Sequence, residues 1–153
     1  MTQRYHANIL RLEKFGLMIF GDSAAGKSAI SRALLDRSLW FNRSAILIAD
    51  DYCDIECVND KLVACAPVTL RGAMEIRGAG LFCVPYEEKV TLTHVVCLTD
   101  KPERYPMGHV FEYEGIELPQ ISLPSLKQVD TVVLCQAIEA FLFGKQWDIS
   151  KAE

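Results

Sequence analysis

The stretch that constrains the fold of this chain most strongly is Gly21-Asp22-Ser23-Ala24-Ala25-Gly26-Lys27-Ser28. It fits the pattern G-x-x-x-x-G-K-[ST], in which a glycine-rich loop holds phosphate groups through its backbone N–H groups. Gly21 and Gly26 allow turns that a Cβ would obstruct. Lys27 supplies an ammonium group for the β- and γ-phosphates, and Ser28 supplies a hydroxyl ligand for Mg²⁺. The loop therefore predicts binding of a nucleoside triphosphate.

The segments on either side of the loop support this interpretation. Phe15–Phe20 is an apolar run typical of a buried strand, and Ser28–Trp40 has the 3.6-residue period of a helix. The predicted apolar face of that helix consists of Ile30, Leu34, Leu35 and Leu39. A strand, a loop and a helix in this order place the positive N-terminal end of the helix against the phosphates. The alternative is a Gly/Ala/Ser turn that binds no ligand.

An acidic pair follows a second apolar run. Asp50 and Asp51 come directly after Ala45–Ala49, which is predicted to be a strand buried on both faces. Nucleotide sites place a carboxylate at such a point, where it reaches Mg²⁺ or the attacking group. Adjacent strand residues point to opposite faces, so the two carboxylates are expected to have different roles. The alternative is an Asp-Asp pair that simply opens a loop.

Two further charges lie among glycines. Glu75 and Arg77 fall within the run Gly72–Gly80, and their spacing predicts that they share one face of a strand. They are either an exposed ion pair of little energetic value or neighbours of a ligand that the glycines allow to approach closely. His6, near the beginning of a predicted hairpin, is by itself a solvated strand residue.

The other segments complete an α/β pattern without a repeat or a linker. Further strands are predicted at Tyr5–Leu12, Tyr52–Val58, Lys61–Cys65, Leu81–Val84, Val90–Thr99 and Glu117–Leu123. Gln128–Phe143 is predicted to be a helix, with an apolar face made of Val129, Val132, Val133, Ala137, Ala140 and Phe141. The length of 153 residues suits one domain. We therefore expect a single α/β domain over residues 1–153.

Composition and charge argue against several classes of protein. The net charge of −4 and the lack of a Lys/Arg cluster argue against a nucleic-acid-binding protein. No apolar run approaches the roughly 18 residues of a membrane span, and Met1–Arg11 does not resemble a signal peptide. The six cysteines are expected to be reduced core residues, and neither a disulfide framework nor a zinc site. A cytoplasmic protein with no membrane partner is the expectation.

Taken together, these stretches resemble the catalytic domain of bacterial HPr kinase/phosphorylase. The motifs occur in order: His6 before the loop, then GDSAAGKS, LIADD, MEIRGAGL and LPQISLP. The run EIRG-x-G after a phosphate-binding loop is the specific part of the match. The length resembles the short form of the family, which lacks the N-terminal domain. The resemblance implies a P-loop fold like that of phosphoenolpyruvate carboxykinase, commonly assembled as a homo-hexamer.

The resemblance also implies an activity and a set of site residues. The family transfers phosphate from ATP, with Mg²⁺, to a serine of the phosphocarrier protein HPr, and reverses the step by phosphorolysis. By resemblance, the catalytic residues are His6, Lys27, Asp51, Arg77 and Arg104, with Asp51 as the base. Metal ligation falls to Ser28, Asp50 and Glu75, and the nucleotide is bound by the loop from Gly21 to Ser28.

The chain departs from the family pattern at several positions. Ala24 stands where a glycine is usual, and Ala29 stands where a glutamate usually follows the serine. An arginine-rich segment tied to dephosphorylation is reduced to Pro124-Ser125-Leu126-Lys127. Kinase activity is therefore favoured over phosphorylase activity. Two alternatives stay open, namely a P-loop kinase of a small metabolite and a nucleotide-sensing regulatory module without turnover.

Overall fold

The computed structural model describes residues 1–148 and residue 150, and there the chain forms strands packed with two helices. The strands are β1 (Thr2–Tyr5), β2 (Ala7–Leu12), β3 (Phe15–Gly21), β4 (Ala45–Ala49), β5 (Cys53–Val58), β6 (Lys61–Cys65), β7 (Ala73–Ile76), β8 (Gly80–Cys83), β9 (Lys89–Thr91), β10 (His94–Thr99), β11 (Val110–Tyr113) and β12 (Ile116–Pro124). The helices are α1 (Lys27–Trp40) and α2 (Thr131–Phe143), and a 3₁₀ turn spans Val68–Leu70.

The strands and helices form three layers. The central sheet has the order β11-β12-β10-β3-β2-β4, and its β10 runs parallel to both β3 and β12. The two helices cover one face of this sheet, and a smaller sheet of order β1-β5-β6-β9 covers the other. A separate hairpin is formed by β7 and β8. This mixed α/β architecture confirms the predicted fold class.

The central sheet is buried on both faces because its strands alternate between two cores. Leu17 and Ile19 pack with the helices, whereas Met18 between them packs with the smaller sheet. In β4, Leu47 faces the helices and Ile48 faces the smaller sheet. The apolar run before the loop, β3, is therefore a buried strand, as predicted. The run before the acidic pair, β4, belongs to a sheet covered on both faces, also as predicted.

One edge of the central sheet collects the chemically important positions. The strand β2 lies between β3 and β4 and is antiparallel to both. The carboxyl ends of β3 and β4 therefore meet the amino end of β2 at a single edge. At this edge lie the glycine-rich loop after β3, the acidic pair after β4 and His6 before β2.

Several predicted strands are divided differently in the structure. The predicted strand Val90–Thr99 is interrupted after Thr91, so that β9 joins the smaller sheet and β10 joins the central one. Tyr5–Leu12 is likewise divided at His6, where the chain passes from β1 in one sheet to β2 in the other. Arg77 lies beyond the end of β7, in the turn of the hairpin. Sequence patterns predict extended conformation, but they do not predict which sheet each part of the chain joins.

The apolar faces of both helices differ from the predicted ones. In α2 the buried residues are Leu134, Cys135, Ile138 and Leu142, whereas Val132 and Val133 are half exposed. Most residues of α2 are apolar, so periodicity alone does not select a face. In α1, Ile30 and Leu34 are buried as predicted, but Leu39 is 80% exposed. The helix reaches past the core in its last turn, where the buried side chain is Ser38.

The six cysteines are free thiols in the structure, and Cys53 and Cys135 are buried. Burial raises the pKa of the Cys53 thiol to about 12 and that of Cys135 to about 11, so both remain protonated and behave as small apolar side chains. Among the described residues, no helix is long and apolar enough to cross a membrane.

Candidate active site

A cavity of about 650 Å³ opens at the edge of the central sheet described above. It is lined by residues of the glycine-rich loop, the first turns of α1, the acidic pair, the β7–β8 hairpin and the segment before α2. The lining residues are His6, Ser23, Ala24, Gly26, Lys27, Ser28, Ala29, Arg32, Asp51, Tyr52, Glu75, Arg77, Leu126 and Lys127. The cavity falls within the size range of small-molecule sites.

The backbone of the glycine-rich loop makes the turns that a phosphate cradle requires. Gly26 has φ of 103° and Ala24 has φ of 65°, so the chain turns through left-handed conformations between β3 and α1. A Cβ at Gly26 would lie 2.4 Å from Leu126 Cδ1, which explains why a glycine is required there. The backbone N–H of Leu126 donates to Ala25 O at 3.0 Å and fixes the segment before α2 against the loop.

Lys27 is the first residue of α1, and its side chain folds back over the loop. Its Nζ donates to Gly21 O at 2.9 Å and to Asp22 O at 3.0 Å, and only 6% of the residue is exposed. Burial lowers the pKa of Lys27, while the nearby carboxylate of Asp51 opposes that effect. The ammonium group is therefore held at the loop itself, where the phosphate groups of a nucleotide would compete with the two carbonyl oxygens for it.

Asp50 is buried beneath the cavity and has three hydrogen-bond donors. Its Oδ1 accepts from Ser28 Oγ and from Asn8 Nδ2, each at 2.6 Å. Its Oδ2 accepts from the backbone N–H of Glu75 at 3.1 Å. The carboxylate thus joins α1, β2 and the β7–β8 hairpin, and it orients the hydroxyl of Ser28.

Asp51 has different surroundings from its neighbour, because β4 ends at Ala49 and Asp51 takes a left-handed backbone conformation; strand alternation, on which the expectation of different roles rested, does not apply to this pair. It has φ of 73°, lies exposed at the cavity, and its Oδ1 is hydrogen-bonded to Nε2 of His6. The ring of His6 also contacts that of Tyr52, with the two centroids 5.1 Å apart. A carboxylate oriented by an imidazole beside a phosphate-binding loop is an arrangement suited to accepting a proton from a hydroxyl group.

The donor set also fits a Mg²⁺ ion bound together with a nucleotide. Mg²⁺ is usually held by one or two protein oxygens and by phosphate and water oxygens. Ser28 Oγ, Asp50 and Glu75 supply such oxygens around the first turn of α1. No cluster of three or more His, Cys, Asp and Glu side chains suited to a metal occurs in residues 1–148 or 150, so an ion held by protein groups alone is not indicated.

Comparison with known proteins identifies the family of this chain. The family described as HPr Serine kinase C-terminal domain matches residues 1–87, more than half of the sequence. The chain belongs to this family. Its predicted resemblance to HPr kinase/phosphorylase is thereby confirmed.

Relatives agree with the family assignment. A protein named HPr kinase/phosphorylase from Caldicellulosiruptor bescii is 30% identical over 139 residues, which cover 84% of this chain and 40% of that protein. Another of that name, from Clostridium tetani, is 33% identical over 82 residues, covering 54% of this chain and 25% of the relative. The chain thus spans between a quarter and two fifths of the length of these relatives.

The fold of this HPr kinase family domain also has a solved counterpart. The structure described as the Hpr(Ser) kinase/phosphatase from Coxiella burnetii superposes with a TM-score of 0.76 and 24% sequence identity. The match covers 92% of this chain and 96% of the other. At this level of identity the comparison shows the fold alone.

The structure brings most of the predicted site residues of this family domain together. His6, Lys27, Ser28, Asp51, Glu75 and Arg77 line one cavity, and Asp50 lies directly below it. Arg104 does not line the cavity; it lies in the exposed loop after β10, with its guanidinium 5.4 Å from the ring centroid of Tyr105. Its predicted catalytic role has no support from this position in a single chain.

The sequence reasoning did not assign Arg32, Tyr52 or Leu126 to the site. Arg32 follows Ser28 by one helical turn, so the period of α1 was a usable signal for it. Leu126 and its neighbour Lys127 reach the cavity through the long-range contact with Ala25, for which the sequence carries no local signal.

Proposed function

We propose that this domain is a protein serine kinase that uses ATP and Mg²⁺ to phosphorylate HPr or an HPr-like phosphocarrier protein. The observation that carries the proposal is that the Asp51–His6 pair and the loop residue Lys27 line the same cavity. A phosphate-binding group and a candidate base facing one space are the two elements that phosphoryl transfer to a hydroxyl group needs. The names of the relatives support HPr as the class of acceptor.

Each residue has a role that follows from its position. The loop from Gly21 to Ser28 binds the phosphates, and Lys27 leaves its two carbonyl partners to neutralise the transferred group. Ser28, Asp50 and Glu75 would hold Mg²⁺, which when bound neutralises phosphate charge. Asp50 keeps the Ser28 hydroxyl oriented by the hydrogen bond of 2.6 Å. These groups position the donor but do not activate the acceptor.

Activation of the acceptor falls to Asp51. A serine hydroxyl of the carrier protein loses its proton to the Asp51 carboxylate while its oxygen forms a bond to the γ-phosphorus and the bond to ADP breaks. His6 holds Asp51 in place through Nε2. The side chains of Arg32, Arg77 and Lys127 line the cavity and supply positive charge for the phosphoryl group in transit.

The proposal places the protein in the cytoplasm, where ATP and an HPr-like acceptor occur together. A homo-hexamer is part of the same proposal, by resemblance to the family. In such an assembly, the exposed side chain of Arg104 would be able to reach the cavity of a neighbouring copy. Sedimentation would measure the oligomeric state, and an assay of mixed variants would test the contribution of Arg104 to a neighbouring cavity.

The direct test is to incubate the chain with labelled ATP, Mg²⁺ and a panel of HPr-like proteins. Transfer to a serine of one of them is the expected result. Asp51→Asn should abolish transfer while leaving ADP affinity within about threefold, because it removes the proton acceptor and keeps the shape. The matched control is Asp60→Asn, since Asp60 is also exposed with a positive φ of 59° but lies in the β5–β6 turn.

Two other results would contradict the proposal in distinct ways. Tight Mg²⁺-dependent ADP binding with no transfer to any protein or metabolite would indicate a nucleotide-sensing module. Turnover with a small hydroxylated metabolite, and none with a protein, would indicate a metabolite kinase.

A further inference from the structure

A buried amide connects the two carboxylates of the site. Asn8 is completely buried in β2. Its neighbours Ala7 and Ile9 pack with the smaller sheet, so strand alternation puts the Asn8 side chain on the opposite face, which the helices cover. Its Nδ2 donates to Asp50 Oδ1 at 2.6 Å, and its Oδ1 accepts from the backbone N–H of Asp51 at 3.1 Å. Both ends of one side chain are therefore bound to consecutive acidic residues.

Asn8 takes this position where the pairing between two strands ends. The last paired residues of β2 and β4 are Ile9 and Ala49, and the register shifts between Ile9 and Leu10. Asp50 and Asp51 follow Ala49, and their backbone is not paired with β2. The side chain of Asn8 supplies one hydrogen bond to each acidic residue at the point where strand pairing has ended.

The carbonyl end of the amide fixes the backbone of Asp51. A non-glycine residue with φ of 73° is in a conformation that the chain adopts only when its surroundings enforce it. The hydrogen bond from Asp51 N to Asn8 Oδ1 is one such constraint, and the bond from Tyr52 N to Asp50 O at 2.9 Å is another. This conformation directs the Asp51 carboxylate to His6 and the cavity.

The N–H end of the amide fixes the side chain of Asp50. Asp50 Oδ1 accepts from Asn8 and Ser28 at once, so rotation of the carboxylate would break both hydrogen bonds. Without Asn8, Oδ1 keeps only the mobile hydroxyl of Ser28 as a partner. The carboxylate then keeps two of its three donors, Ser28 Oγ and the backbone N–H of Glu75, and is held less firmly in the geometry that orients that hydroxyl.

We propose that Asn8 is a positioning residue that sets both carboxylates through one amide group, holding Asp50 on Ser28 and Asp51 on His6. The role rests on the proposed function for the transfer step, but its effect on Mg²⁺-dependent nucleotide binding does not. Neither Asn8 nor its neighbours Ala7 and Ile9 line the cavity, so Asn8 acts only through the groups it contacts.

The test is Asn8→Val, which removes both hydrogen bonds with a side chain suited to a strand. ADP binding is measured by calorimetry in excess Mg²⁺ and in EDTA, and the ratio of the two affinities should fall at least fivefold. With ATP and an accepted carrier protein, kcat should fall at least tenfold, a larger change than any accompanying rise in KM for ATP. A residue that merely stabilised the strand would change neither quantity in the folded fraction.

Two further variants make the result specific. Leu10→Val is the control, because Leu10 is also fully buried and follows Asn8 on the same face of β2 without touching a carboxylate. Asp50→Ala and the double variant Asn8→Val/Asp50→Ala should show the same Mg²⁺-dependent ratio, since Asn8 affects that ratio only through Asp50. Asn8→Ser replaces Asn8→Val if the latter does not fold, with the same expected direction.

The proposal is overturned if the Asn8 variants keep both the affinity ratio and kcat within twofold of Leu10→Val. It is also overturned if the two losses from Asn8→Val and Asp50→Ala simply add. If the wild-type chain transfers no phosphate to any protein, the proposed function fails, and the calorimetric comparison alone still decides the role of Asn8.

Discussion

The substitution Gly26→Ala probes the contact that joins the glycine-rich loop to the segment before α2. Gly26 has φ of 103°, a backbone conformation that costs a residue with a Cβ about 1–2 kcal/mol. Its added Cβ would also lie 2.4 Å from Leu126 Cδ1, 2.5 Å from Cγ and 3.0 Å from Cβ. Because the contact includes the Cβ of Leu126, a change of the Leu126 rotamer alone does not relieve it.

The magnitude follows from adding these two effects. Overpacking of this kind costs about 1–3 kcal/mol, which together with the backbone term predicts a loss of about 2–5 kcal/mol in the free energy of unfolding. Gly78→Ala is a matched control, because Gly78 has φ of 87° but no atom within 4 Å of the added Cβ. It should lose only the backbone part, about 1–2 kcal/mol.

Urea unfolding of the two variants and of Gly26→Ala/Leu126→Ala measures these differences. The double variant should recover part of the Gly26→Ala loss, because it removes the side-chain atoms that the new methyl group meets. Gly26→Ala should also weaken ADP binding, since displacement of Leu126 alters the cavity wall. Equal losses for Gly26→Ala and Gly78→Ala, within about 0.5 kcal/mol, would refute the argument that Leu126 packs on the loop.

Three further outcomes are expected. In α2, Leu134→Ala should lower the free energy of unfolding by about 2–5 kcal/mol, because Leu134 is fully buried. Val133→Ala should lower it by less than about 1 kcal/mol, because Val133 is half exposed. Urea titration measures both values. Hydrogen bonds from Arg4 lower the pKa of the Asp54 carboxyl, so the stability from this pair is present above about pH 4 and is lost as pH falls through the lowered pKa. The melting temperatures of wild type and Arg4→Met should therefore differ at pH 7 and converge in acid. Transfer to the carrier protein should be faster than phosphorolysis, because a lysine binds phosphate with fewer parallel hydrogen bonds than an arginine, and by the family resemblance Lys127 stands in place of an arginine-rich segment. The assay supplies phosphoserine-HPr and inorganic phosphate and measures pyrophosphate. Release of pyrophosphate as fast as the forward transfer would contradict this prediction.

The elements flanking the loop could be predicted because their signals are local. The strand β3, the turn and the helix α1 follow one another within Phe15–Trp40, and each has its own apolar period or glycine signature. The helix began within one residue of its predicted start and ended where predicted. The acidic pair was found in the same way, because an apolar strand ends immediately before it.

The faces of the helices could not be predicted with the same success. In α2 the apolar residues surround the helix, so Val133 and Leu134 were equally suited to the core until the position of the central sheet was known. The interruption between β9 and β10 was missed because the sequence remains extended in character from Val90 to Thr99, although the two strands pair in different sheets.

The sequence alone determined the strand and the helix that flank the glycine-rich loop, and the family of the chain, because these depend on short-range order and on motifs of contiguous residues. The tertiary structure decided which distant residues complete the site. His6 reaches Asp51, and Asn8 reaches both carboxylates, because β2 lies antiparallel between β3 and β4. Residues more than forty positions apart meet only through that strand order, which arises from the packing of the whole sheet and not from any local period.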